Sequence, residues 1–142
     1  MKAKYFFFAL FPVVLFSLVF SGCKKEEDEE SEYSDKLALG TGMSGFDLVG
    51  EGTTFTQTSG SVIIYFRLES EADMAGRPVV LDFLTSGGSL INTITRDQAQ
   101  DYGHIMLSSF EWLGGTGNFK INAYLSEGSE KTFVATINFT VN

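Results

Sequence analysis

One cysteine, one histidine, one tryptophan and two prolines are all that 142 residues contain of these four types. A lone thiol cannot close an internal disulfide, and neither a thiolate zinc cluster nor a three-histidine metal centre can be assembled from what is present. Any serine–histidine or cysteine–histidine catalytic device would have to pass through His104. Positive charge is scarce too. Ten Lys and Arg against 18 Asp and Glu leave a formal net charge of −8, which repels phosphate backbones and argues against nucleic-acid binding. The length suits one domain of ordinary size.

What the chain has in excess is phenylalanine, 14 residues in all, and six of them (Phe6, Phe7, Phe8, Phe11, Phe16 and Phe20) fall in one apolar run over residues 5–20. Lys2 and Lys4 precede that run, supplying the positive segment that stays on the cytoplasmic side during export. At 16 residues the run is shorter than the roughly 20 needed to cross a bilayer as a helix, and Pro12 interrupts it. This is the layout of an export signal. It ends in Phe20-Ser21-Gly22-Cys23, which resembles the lipobox of bacterial lipoproteins, with Phe20 where that family carries Leu or another aliphatic residue. The resemblance implies cleavage after residue 22 and acylation of Cys23, and several acyl chains on one residue hold a membrane stably where one does not. Residues 1–22 are then a lipoprotein signal peptide.

Residues 23–36 read as the lipidated cysteine and a disordered acidic linker. The stretch Lys24-Lys25-Glu26-Glu27-Asp28-Glu29-Glu30-Ser31-Glu32 offers no apolar surface to offset the cost of ordering its backbone, about 1–2 kcal/mol per residue. From residue 24 to residue 36 it spans roughly 40 Å when extended. A lysine-plus-acidic run directly after the cysteine resembles the export signal that sends lipoproteins of Bacteroidota to the outer face of the outer membrane. The expected location is therefore the outer membrane, lipid-anchored, with surface exposure an open alternative to a plain spacer.

Residues 37–142 read as a domain in which Arg67, Arg77, Arg96, Lys120 and Lys131 stand against 11 acidic side chains, a balance of −6. Its dominant apolar period is two, the signature of half-buried strands. In residues 61–69, Val62, Ile64, Phe66 and Leu68 share one face. Phe119, Ile121, Ala123 and Leu125 do the same in a second strand, and Phe133, Ala135, Ile137, Phe139 and Val141 in a third. Weaker strand patterns cover residues 46–49, 53–56, 79–84, 90–95 and 105–110, separated by turn-forming sequences such as Ser59-Gly60 and Ser86-Gly87-Gly88. Only residues 71–75 and 97–101 could make a helical turn. Seven or eight short strands with no helix to cover a parallel sheet predict an all-β, antiparallel β-sandwich. The segment from Trp112 through Gly114-Gly115-Thr116-Gly117 into the strand ending at Leu125, with the hairpin that follows, resembles the last two strands of immunoglobulin-like and fibronectin type III-like bacterial domains. An immunoglobulin-like sandwich is what the resemblance implies.

Few residues carry chemistry. Gly40-Thr41-Gly42-Met43-Ser44-Gly45 matches a dinucleotide-binding spacing, but strand-like residues follow where a helix is required, so it reads as a glycine-rich loop. His104 abuts a strand and reads as an edge or surface residue. Glu69, Glu71 and Asp73, with Asp97 and Asp101 elsewhere, could hold calcium or serve as a glycosidase pair, but carboxylates in loops usually only solvate. No metal and no cofactor are expected. Trp112, Tyr102 and Tyr124 are the candidate ligand-binding residues, with Tyr65 beside them, because sugar rings stack on exposed aromatic faces. A lone Trp next to Leu113 more often plugs the core edge, and that is the favoured reading of Trp112. The chain is thus expected to be a non-enzymatic binding or structural module with an unidentified protein or glycan partner. The alternatives are a glycan-binding accessory of a polysaccharide uptake system and a small hydrolase.

Overall fold

The computed structural model describes residues 31–98 and 103–142; the expected export signal, Cys23, the acidic run before residue 31, and Tyr102 lie outside the described residues. Among the described residues ten strands follow one another: β1 (Lys36–Gly40), β2 (Gly42–Ser44), β3 (Asp47–Val49), β4 (Thr54–Phe55), β5 (Val62–Glu69), β6 (Val79–Thr85), β7 (Leu90–Arg96), β8 (Ile105–Trp112), β9 (Gly117–Glu127) and β10 (Glu130–Val141). They form a three-stranded sheet in the order β1-β5-β8 and a five-stranded sheet in the order β4-β10-β9-β6-β7, with β2 and β3 as a separate hairpin. The architecture is the all-β sandwich that the period-two pattern predicts.

The strand count exceeds the seven or eight expected. β1 and β2 carry no alternation to reveal them: Leu37, Ala38, Leu39 and Gly40 are buried in succession, and β2 is three residues long. One pairing also departs from a purely antiparallel plan, since the two-residue β4 runs parallel to the end of β10. Nothing forbids this, because parallel neighbours need only a long connection and these two lie at opposite ends of the domain sequence. The glycine-rich stretch is the β1–β2 connection and the hairpin itself. Gly40 is held close to the partner backbone, where a Cβ would sit 2.7 Å from the Val49 carbonyl oxygen.

The facing sides of the two sheets make one core. Leu39, Ile64, Phe66 and Leu68 from the smaller sheet meet Leu81, Ile121, Phe139 and Val141 from the larger, all essentially without solvent contact. Each such side chain contributes about 1.5–3 kcal/mol on burial, which is how a domain with no disulfide holds together.

Residues 31–35, at the end of the expected linker, lie along the terminus of β5. The Ser34 N–H donates to Glu69 Oε1 at 3.0 Å, the Glu71 N–H to Asp35 Oδ1 at 2.8 Å, and Ser31 Oγ to the Glu71 carbonyl at 3.2 Å. Tyr33 stacks on His104 with ring centroids 4.5 Å apart and planes 3° from parallel. This end of the sandwich, where Lys36, Glu69 and Ile105 lie side by side, is the one the chain enters.

Candidate functional site

At the opposite end the sandwich is open along one side. β7 is the outer strand of the larger sheet and β8 the outer strand of the smaller, so two free edges face each other. Near the middle they are tied by Arg96, whose Nε and Nη2 each donate to the Ser109 carbonyl at 3.3 Å. Beyond that tie the edges separate and leave an apolar cleft of about 250 Å³. Phe83, Phe110, Trp112, Ile91, Ile94, Leu113 and Gly114 line it, with Asn92 and Glu111 as its polar members. Leu113 is 70% exposed, and Leu90 and Ile91 are exposed beside it. Large apolar side chains gathered around one opening, rather than scattered singly, mark a surface built for contact.

Of the two readings of Trp112, the structure gives the core one. The residue is 4% exposed, its ring packs 4.5 Å from Phe119 and 5.3 Å from Phe139 between centroids, and its Nε1–H donates to the Gly115 carbonyl at 2.8 Å. A face so enclosed cannot serve as a stacking platform, which corrects its candidacy as one; only the cleft side of the residue borders open space. Tyr124 stands on the outer face of the larger sheet. Phe133 meets it edge to face at 5.7 Å, and Lys131 Nζ lies 4.5 Å from its ring centroid. Trp112 and Tyr124 therefore belong to opposite faces and do not form one site. Tyr65 is half-buried on the outer side of β5.

His104 is occupied structurally. Its Nδ1 lies 2.9 Å from the Ser70 carbonyl, a donor in the tautomer protonated there, and its ring is covered by Tyr33. The acidic residues are likewise divided among separate tasks. Glu69 takes the Ser34 amide and the Arg67 guanidinium, and the Ser34 hydrogen bond foremost holds its carboxyl below the usual carboxylate range. Asp73 Oδ1 accepts from the Ala75 amide at 2.7 Å. Asp82 is bonded by Lys131 and Thr93. Among the described residues no group of three or more His, Cys, Asp or Glu is placed to hold a metal ion. The proposed helical turn at residues 71–75 is instead a tight turn in which the Arg77 amide donates to the Met74 carbonyl, with Ala75 and Gly76 at φ +51° and +66°.

Apart from Trp112, sequence reasoning does not single out the cleft residues. Phe83, Ile94 and Phe110 look there like ordinary inward positions of strands, and only the pairing order of the sheets shows that their strands are edges.

No protein-family model matches the chain, and no curated protein matches it. Among solved structures, a crystal structure of the C-terminal domain of Wzt is similar, with a TM-score of 0.44 and 11% sequence identity over 75% of this chain and 71% of that one. The class of the protein accordingly rests on its own geometry, an all-β sandwich with a cleft between two free strand edges.

Proposed function

We propose that this chain is a lipid-anchored extracytoplasmic lipoprotein of the bacterial outer membrane, whose domain is a non-enzymatic binding module that receives an extended polypeptide segment in the β7–β8 cleft. The observation that carries the binding reading is the meeting of two unpaired strand edges over an apolar cleft. An incoming strand would complete the backbone hydrogen bonds of an edge and place alternate side chains in the opening, the logic of strand addition. The anchor reading is supported by Phe20-Ser21-Gly22-Cys23 and the apolar run before it. A non-catalytic role is supported by the structural engagement of His104 and the dispersal of the carboxylates.

Metabolic labelling with an alkyne fatty acid is expected to mark the wild type and leave Cys23→Ser unmarked and released from membranes; an unmarked wild type overturns the anchor. A photo-crosslinking residue at Leu113 is expected to capture a partner polypeptide on intact cells, whereas the same residue at Thr95, on the outer face, is not. Equal capture at both positions overturns the cleft as the docking site. A glycan-binding accessory loses Trp112 as its platform, and any saccharide site has to be found elsewhere on the surface.

A further inference from the structure

A second concavity, polar where the first is apolar, opens on the outer side of the β9–β10 ladder. It has a volume of about 440 Å³, and its polar lining comes from Thr53, Ser86, Asn118, Lys120, Asn138 and Thr140, with the paired Phe119 and Phe139, whose rings turn into the core, beneath it. Its position follows from register. Asn118 lies opposite Thr140, and Lys120 lies between Asn138 on β10 and Leu84 on β6. β9 begins at Gly117, a few residues after the rim of the apolar cleft, so both openings sit at the end remote from residue 31.

Three features of this groove point to a ligand. Lys120 is the one described Lys or Arg that makes neither an ion pair nor a hydrogen bond; the other described cations are bound to Glu51, Glu69, Glu127, Asp82 or the Ser109 carbonyl. In a domain whose charge balance is −6, a cation left without a carboxylate is available to one from outside. Secondly, no acidic side chain lines the groove. Thirdly, the hydrogen-bonding groups around the ammonium are uncommitted. Thr140 Oγ1 donates to Asn118 Oδ1 at 2.8 Å, which leaves the Asn118 amide protons for another acceptor. The Asn138 amide and the Thr53 and Ser86 hydroxyls form no side-chain hydrogen bond within the protein.

We propose that this groove binds an acidic saccharide, with one carboxylate on the Lys120 ammonium and neighbouring ring hydroxyls on the Asn118 and Asn138 amides and the Thr53 and Ser86 hydroxyls. A single ammonium matches one negative charge per ligand unit, and the net negative domain disfavours a dense polyanion. Side-chain amides and hydroxyls donate and accept at once, as a sugar hydroxyl also does. The volume lies within the ordinary range for small-ligand sites. The inference rests on the reading of the domain as a binding module, and on neither its lipid anchor nor its apolar cleft.

The test is calorimetric titration of the full-length chain in detergent micelles with the methyl glycosides of galacturonate, glucuronate and mannuronate, each carrying one carboxylate, and with the neutral galactose, glucose and mannose counterparts. At least one uronate is expected to bind, its neutral counterpart about tenfold or more weaker, with affinity falling as salt is raised. Lys120→Gln is expected to reduce uronate affinity about tenfold or more, to the level of the neutral sugar, while Lys120→Arg retains most of it. Asn138→Ala should weaken the uronate and its neutral counterpart alike. Near-ultraviolet circular dichroism confirms that each variant is folded. Absence of binding by all three uronates, binding unchanged in folded Lys120→Gln, or equal affinity for acidic and neutral sugars overturns the proposal. Failure here with Leu113 crosslinks intact leaves the binding-module reading standing; failure of both removes both.

Discussion

Glu69 shows how one side chain can join two parts of the chain. Its carboxylate receives the Ser34 amide and the Arg67 guanidinium, and its depressed pKa means that the folded state holds the ionised form more firmly than the unfolded chain does. The stabilisation is therefore complete above the ordinary carboxylate range and is lost as the pH falls through the lowered folded value. Glu69→Gln is expected to be less stable at neutral pH and to lose part of the wild type's decline in acid, as measured by thermal unfolding from pH 7 down to pH 3. Ala75 is a second informative residue, because an L side chain at φ +51° stands where glycine is more comfortable. Ala75→Gly should stabilise the protein by a few tenths to about 1 kcal/mol, the net of relieved strain and added chain entropy, read as a rise in melting temperature. At Gly114 a Cβ would overlap the Trp112 indole. Gly114→Ala should cost about 1–3 kcal/mol and quench or shift the fluorescence of the lone tryptophan. Neither the Trp112–Gly114 contact nor the covering of His104 by Tyr33 is legible in the sequence, because each depends on how a loop folds back on the strand beside it.

Strands were legible in proportion to their alternation. β5 and β9 have one wholly apolar face each, so their period and extent stand out; in β10 the bulge between Phe133 and Ala135 turns Phe133 outward, so the apolar face expected to begin at Phe133 begins only after it. β7 is the opposite case: its pattern is weak because it is an edge, and Leu90 and Ile91 are exposed while Ile94 is half-buried. β1 was invisible because four successive residues are buried, a pattern with no period at all. Edge status, and with it the cleft, is a property of strand order and cannot be read from any one strand. The tie between Arg96 and the Ser109 carbonyl is what keeps the edges from parting further. Arg96→Ala is expected to raise amide hydrogen exchange in β7 several-fold while leaving β9, which is paired on both sides, unchanged. Equal acceleration in β7 and β9 would show that the tie supports the whole sheet rather than the edge.

At the scale of the molecule, composition and period sufficed for an all-β sandwich, and the absence of cysteine pairs correctly directed the search for stability to the core. The sequence could not show that the two openings share one end, since Lys120, Ile91 and Leu113 lie on three different strands or loops brought together only by sheet order. Nor could it show that residues 31–35 are held by polar bonds, because an estimate from apolar area counts nothing for an amide meeting a carboxylate. Those bonds also set the geometry of the proposed attachment. On the proposed acylation of Cys23, only the seven residues 24–30 would separate the lipid from residues 31–35, which are pinned alongside β5, a reach of about 23 Å if extended. The attachment point would then lie at one end of the domain and both openings at the other.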